Sequence, residues 1–289
     1  MKRAVLLLLV LVLAACVPAA APSAAPVLIA TEKATPPTTM TSVPTFTLTP
    51  APTPPPDGPC DNPLVPLAIG NQWKYRVTTD SGEKIYNLNA VNRQDAANIL
   101  MLVEFGDEEK SVQEQVICSN GAIEGFPLFV MDMLFADRLN KFINTYHDKG
   151  IYAPAYASFA ERGWVLDWEA YYLTEEGAQI KNPMGPPDLF LLPSSPIDLV
   201  FQMDGSQEAV TVPAGEFPQA LKVHHEFTVS ATLGTGAGGH LIVATTQWYE
   251  PYVGLVRARL DKATLFTNGQ DLSVPMTSIL ELIEFTPGN

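Results

Sequence analysis

The residues of this chain whose types lend themselves to chemistry are four histidines, three cysteines and one aromatic cluster. His147, His224, His225 and His240 are spaced too widely for a metal site. His224 and His225 are adjacent, so on a strand they point to opposite faces and do not share a ligand. HExxH and GxSxG are both absent, and no cysteine has the neighbours of a nucleophile. Gly234-Thr235-Gly236-Ala237-Gly238-Gly239 lacks the following Lys-Ser/Thr of a phosphate cradle and reads as a hairpin loop. Asp107-Glu108-Glu109 lacks the spacing and glycine of a calcium loop and reads as a solvated turn. No metal, no cofactor and no enzyme activity are expected. What remains is aromatic: Trp164, Trp168, Tyr171 and Tyr172 lie within nine residues. They make either a surface that stacks on sugar rings or holds a lipid tail, or core beneath a sheet. Met131, Met133, Phe135 and Phe142 pose the same choice between a lid over a cavity and plain packing.

The first fifteen residues have a positive start at Lys2 and Arg3 and an apolar run over Ala4–Leu13. That run is too short to span a membrane as a mature helix and has the form of an export signal. It ends in Leu13-Ala14-Ala15-Cys16, which resembles the bacterial lipobox. The resemblance implies cleavage before Cys16, a diacylglycerol on its sulfur and acylation of the new amino group. Two or three acyl chains hold a protein stably where one does not. The alternative is an ordinary secretory signal with a chance cysteine. With Cys16 lipidated, Cys60 and Cys118 are left in an oxidising compartment, where a disulfide is the default and two free buried thiols the alternative. Zinc is disfavoured because neither cysteine has a partner at ligand spacing.

Val17–Pro59 is dominated by Pro, Thr and Ala and cannot bury enough apolar surface to offset its ordering entropy. At about 3.1 Å per residue in polyproline II form it would reach on the order of 130 Å. The expected organisation is therefore a signal over 1–15, a lipidated cysteine and disordered linker over 16–59, and one β-rich domain over 60–289. The net charge of −14 argues against nucleic acid and against electrostatic docking on anionic lipid heads.

Strands must position any site in the domain. Period-two alternation predicts strands at Trp73–Val77, Ile85–Arg93, Asn98–Phe105 and Ser111–Ser119. After a proline-punctuated loop over Pro183–Pro196 they resume near Ile197. Leu221, Val223, His225, Phe227 and Val229 alternate with Lys222, His224, Glu226 and Thr228. Leu241–Tyr249 returns, another strand starts at Tyr252, and Met276–Phe285 is the last. Apolar residues at Leu128, Met131, Leu134, Phe135, Leu139, Phe142, Ile143 and Tyr146 predict an amphipathic helix, started by Pro127 and stopped by His147, Lys149 and Gly150. Ala155–Arg162 predicts a second, short one. Trp164–Ile180 fits neither pattern cleanly. Ten to twelve antiparallel strands with one or two helices follow.

Pro66-Leu67-Ala68-Ile69-Gly70-Asn71-Gln72-Trp73-Lys74-Tyr75 resembles the PLxxGNxWxY opening of many secreted bacterial lipoproteins of unassigned function. Thr211–Phe217 with Leu221-Lys222-Val223, and Trp248–Val256, resemble their VPAGxF and WYxxxVGLV signatures. The resemblance implies a fold similar to the LolA/LolB-type half-barrel, a mainly β (α+β) curved antiparallel sheet with helices over its concave face. It assigns no activity, and Phe126–Pro196 matches nothing in it. Gly215 and Gly254 are expected at turns or bulges, and Trp73, Tyr75, Phe217, Trp248 and Val256 in the core.

Three functions are then open. The first is a non-catalytic binding or structural domain held outside the cell, on the cell membrane or an outer membrane, meeting a glycan or an envelope protein. The second is a carrier or sensor of an apolar ligand, with Trp164, Trp168, Tyr171, Tyr172, Met131 and Phe135 as contacts. The third is a wall hydrolase. In membrane-extracted protein the first residue should be Cys16 carrying acyl mass, and Cys16→Ser should move the protein off the membrane. A mature chain still starting at Met1 would contradict the signal assignment.

Overall fold

The computed structural model describes residues 60, 62–95, 98–105, 111–135, 137–141, 143–182, 185 and 188–288. Cys16 and the linker lie outside them. Among the described residues one antiparallel sheet collects every strand and curls into a nearly closed barrel. Its first half is a meander of β1 (Gln72–Thr79), β2 (Gly82–Arg93), β3 (Asn98–Phe105), β4 (Ser111–Ser119) and β5 (Ala122–Gly125). The chain then makes α1 (Phe129–Leu134), β6 (Thr145–Gly150) and α2 (Tyr156–Ala160). β7 (Val165–Thr174), β8 (Ala178–Ile180), β9 (Leu189–Leu191), β10 (Pro196–Asp204) and β11 (Gln207–Val212) follow. The long strands β12 (Gly215–Leu233), β13 (Gly238–Glu250) and β14 (Gly254–Thr267) come next, then β15 (Gln270–Ser273) and β16 (Ser278–Thr286). The order β5-β4-β3-β2-β1-β16-β14-β13-β12-β10-β7-β6 puts the first and last strands side by side.

The predicted alternation survives in detail. Leu221, Val223, His225, Phe227 and Val229 are buried, whereas His224 and Glu226 face out. Register shifts at Ala244/Thr245 and Trp248/Tyr249 put bulges between β13 and β14, which bend a sheet toward closure. Gly254, at φ +94°, lets the sheet meet residues 64–66: a Cβ there would sit 3.3 Å from Pro66 Cδ. Gly215 is also left-handed, at φ +142°, but open space surrounds it, so its role is the turn alone. Trp73, Tyr75 and Val256 are buried inside and Phe217 is half-buried. Trp248 is buried on the outer face, its ring flanked by the Arg257 and Arg259 guanidinium groups at 5.7 and 5.6 Å.

Three expectations are corrected. The helix predicted from Leu128 to Tyr146 stops at Leu134, and Thr145–Gly150 is a strand paired with β7. Phe129, Met131, Asp132, Met133 and Leu134 are all buried and Val130 is half-buried, so the short helix has no polar solvent-facing stripe. Beyond it Leu139 bridges to Ile180, and the Ile143 N–H donates to Asp132 Oδ1 at 3.2 Å. Pairing partners thus override the helical spacing. The ambiguous Trp164–Ile180 resolves into β7 and β8, and the apolar run in the proline-rich loop into β9. Sixteen strands are present among the described residues, more than the ten to twelve expected.

The ends of the strand order, β5 and β6, form a seam. Ile123 and Ala153 bridge it with backbone bonds of 2.8 and 3.0 Å, and Gly125 admits the His147 side chain. Asn62, with no exposed surface, fastens this seam. Its Oδ1 accepts from the Leu64 and Val65 N–H groups at 2.9 and 3.1 Å. Its Nδ2 donates to Gly121 O on one side and to Ala153 O and Pro154 O on the other, at 3.0, 3.2 and 2.8 Å. The Cys60–Cys118 disulfide lies beside it, with Cα atoms 5.1 Å apart. Cross-linking a 58-residue separation contributes roughly 4 kcal/mol in the chain-entropy picture. From the seam the chain crosses the end of the barrel, where Tyr252 N–H donates to Pro63 O at 2.9 Å. Replacing Asn62 with Ala orphans buried groups on both sides of the seam, each worth about 1–3 kcal/mol. Urea denaturation of Asn62→Ala should therefore show a loss of at least about 3 kcal/mol, while a loss under about 1 kcal/mol would contradict the fastening role.

Candidate functional site

The concave face is a ladder of rings. Trp168 stacks on Phe201 at 5.0 Å, and Phe201 stacks on the His225 imidazole at 4.3 Å. Phe159 of α2 closes the upper end, stacked on Trp164 at 5.3 Å and edge-on to Trp168 at 5.9 Å. The Trp168 Nε1–H donates to Tyr152 O at 2.9 Å. Tyr172 is buried on the same face and its hydroxyl accepts from Phe126 N–H at 3.0 Å. Tyr171 lies on the opposite face, where its hydroxyl donates to the Glu169 carboxylate and Lys149 Nζ sits 4.8 Å from its ring centre. The predicted aromatic cluster is therefore divided by the strand period: Trp168 and Tyr172 share the concave face, Trp164 meets Trp168 only through Phe159, and Tyr171 lies on the opposite face.

Met131 and Phe135 are interior filling. Both are buried, and Phe135 meets Phe227 edge-on at 6.0 Å. Between α1, the crossing residues 64–67 and the inward residues Trp73, Tyr75, Met101, Tyr249 and Leu255 remains a cavity of about 50 Å³. Pockets that hold drug-sized ligands run to about 300–1,000 Å³. The cavity beside α1 lies well below that range.

A hydrogen-bonded row crosses the apolar interior. Tyr152 and Tyr249 interact in the interior, and Tyr249 O–H donates to Gln247 Oε1 at 2.5 Å. Gln247 Nε2 donates to His225 Nδ1 at 3.0 Å. That bond places the ring proton on Nε2, which is buried with no hydrogen-bond partner. Burial lowers the His225 pKa to about 3. His225 was legible from its inward position in the alternation. Gln247, Tyr249 and Tyr152 were not, because their association depends on which strands pair.

A second concavity, of about 190 Å³, opens at the seam between β4 and β6. Glu114, Glu175, Tyr146, His147 and Tyr172 line it. Burial and then the Glu175 charge raise the Glu114 pKa. Deeper in, burial and then the Glu114 charge hold the Asp132 pKa well above the ordinary range, against the Ile143 N–H bond. These carboxyl groups are separated in sequence and carry no motif, so only the closure of the sheet brings them near one another.

No protein family and no characterised protein matches the chain by sequence. Among solved structures, the chain resembles a protein from Bacteroides fragilis named as exported and as having a YmcC-like fold, with TM-score 0.47 and 16% identity. It also resembles a protein from Parabacteroides distasonis named as a lipoprotein, with TM-score 0.45 and 16% identity. Each likeness covers 76% of this chain and 97% of the other.

His225 and Asp132, both buried, give opposite pH signatures. His225 binds its proton more weakly when folded, so its contribution to stability falls as pH drops from about 6.5 toward 3. Asp132 binds its proton more tightly when folded, so its contribution falls as pH rises above 3.8. Asp132→Asn should accordingly stabilise the protein at pH 8 and be nearly neutral at pH 4, read from thermal midpoints. A variant less stable at pH 8 than at pH 4, relative to the parent, would reverse the assignment.

Proposed function

We propose that the chain is a lipid-tethered protein of the cell envelope whose barrel acts by contact, as a binding or structural module outside the cytoplasm. The observation that carries this reading is the filled interior: the concave side is occupied by α1 and its neighbours, with about 50 Å³ left over. The outer face of the sheet and the barrel's ends are then the surfaces free to meet another molecule. The export-type start and the lipobox-like Leu13-Ala14-Ala15-Cys16 support the tether. The net charge of −14 disfavours nucleic acid, leaving envelope glycan or protein as the partner class. A carrier of an apolar ligand would need α1 to leave the interior.

One observation favours a second reading. Glu114 and Glu175 line one cleft with Tyr146 and Tyr172, and paired carboxyls beside aromatic rings are the apparatus of glycoside hydrolysis. Glu114, with its raised pKa, would be the proton donor. The two readings separate on incubation with isolated envelope polysaccharide. Under the contact reading the full chain sediments with the polysaccharide, releases no reducing ends and behaves identically as Glu114→Gln. Release of reducing ends that falls at least 100-fold in Glu114→Gln would establish the hydrolase instead.

A further inference from the structure

α2 and the start of β7 carry an apolar shelf on the barrel's outer rim. Tyr156 is 49% exposed and Val165 is 52% exposed. Trp164 lies half-buried between them, edge-on to Tyr156 at 6.1 Å and stacked on Phe159 beneath. The backbone is left-handed at both Gly163 (φ +60°) and Trp164 (φ +65°). For a residue as bulky as tryptophan this conformation is an outlier costing about 1–3 kcal/mol, and such strain persists where the surroundings enforce it. The turn lays the indole over the Phe159 ring, and the Trp164 backbone N–H donates to Phe159 O at 3.2 Å.

The described chain begins next to this shelf. Asn62 Nδ2 donates to Ala153 O and Pro154 O, and Tyr156 is only two residues beyond Pro154. Two Cα steps cover at most about 8 Å. Immediately before Cys60 the sequence reads Ala51-Pro52-Thr53-Pro54-Pro55-Pro56-Asp57-Gly58-Pro59. Six residues of polyproline II span about 19 Å, longer than the distance of about 8 Å from Pro154 to Tyr156. We propose that Pro52–Pro56 docks as a polyproline II helix on the Tyr156–Trp164 shelf of its own chain.

Aromatic grooves recognise proline-rich segments because the ligand is already extended and loses little entropy on binding. Here the segment is covalently held beside its site, at an effective concentration on the order of 1 mM. An intrinsic dissociation constant near 1 mM, weak for a separate peptide, would thus fill the shelf about half the time. Docking would fix the direction in which the tether leaves the barrel, and so which outer face turns toward the membrane. Because it needs no lipid, its failure would leave the tether assignment standing, and the reverse also holds.

The chain has four tryptophans, so fluorine NMR of the full chain labelled with 5-fluorotryptophan resolves the shelf directly, with Trp164→Phe assigning its signal. Replacing Pro54, Pro55 and Pro56 together by Gly should shift the Trp164 resonance and leave Trp73 and Trp248 in place. Added peptide Ala51–Pro56 should then return it toward the parental position. A Trp164 signal unmoved by the substitution would overturn the proposal. So would a parental signal that moves to the Gly-variant position on dilution, since the occupant would then be a second copy. A signal that ignores the peptide but responds to oligosaccharide would overturn it in favour of a glycan platform.

Discussion

Among the described residues, a sheet of sixteen strands rolled nearly shut has an inner face that must be covered, and its apolar side chains leave no solvated alternative. Trp73, Tyr75, Phe201, Phe227 and Leu282 all converge there. Six residues of α1 do much of the filling, though the helix lacks a side-chain cap at its N-terminus. Such a helix has little stability of its own and owes its form to what surrounds it. The packed interior and the fastened seam support one another. Asn62 and the Cys60–Cys118 disulfide hold the crossing residues over the end of the barrel, and Leu64, Val65, Pro66 and Leu67 close the space beside α1.

That constraint orders the functional readings. With the interior occupied by the protein's own side chains, the surfaces left open are on the exterior. The concave rings, which look from composition like a binding surface, become packing. The polar row from Tyr152 to His225 runs through the same interior, and the unpaired His225 Nε2–H is a local cost there. The seam differs, since it is where the sheet fails to pair with itself and where the half-buried Glu114 and the exposed Glu175 line one cleft.

Much of the sheet was legible because period-two alternation is a local signal. Asn98–Phe105 and Ser111–Ser119 fall on their predicted bounds, and the His224/His225 split follows from parity alone. The helix over 128–146 was misread because apolar residues three and four apart also arise where a chain is buried on all sides. Strand pairing with β7, a contact distant in sequence, then claimed Thr145–Gly150. Of the candidate contact residues, for which both a ligand surface and packing were open, Met131, Phe135 and Tyr172 are buried and Trp168 is half-buried. Asn62, Gln247, Glu114 and Glu175 lay beyond a local reading, because each acquires its neighbours only when the strands are in register.

The closed interior is tested most directly by native mass spectrometry of the whole protein extracted from membranes under mild conditions. The predicted result is the mass of the chain with its covalent N-terminal lipid and nothing more. A second, non-covalent acyl or other apolar mass, lost on gentle activation, would contradict it and mean that α1 yields its place to a ligand.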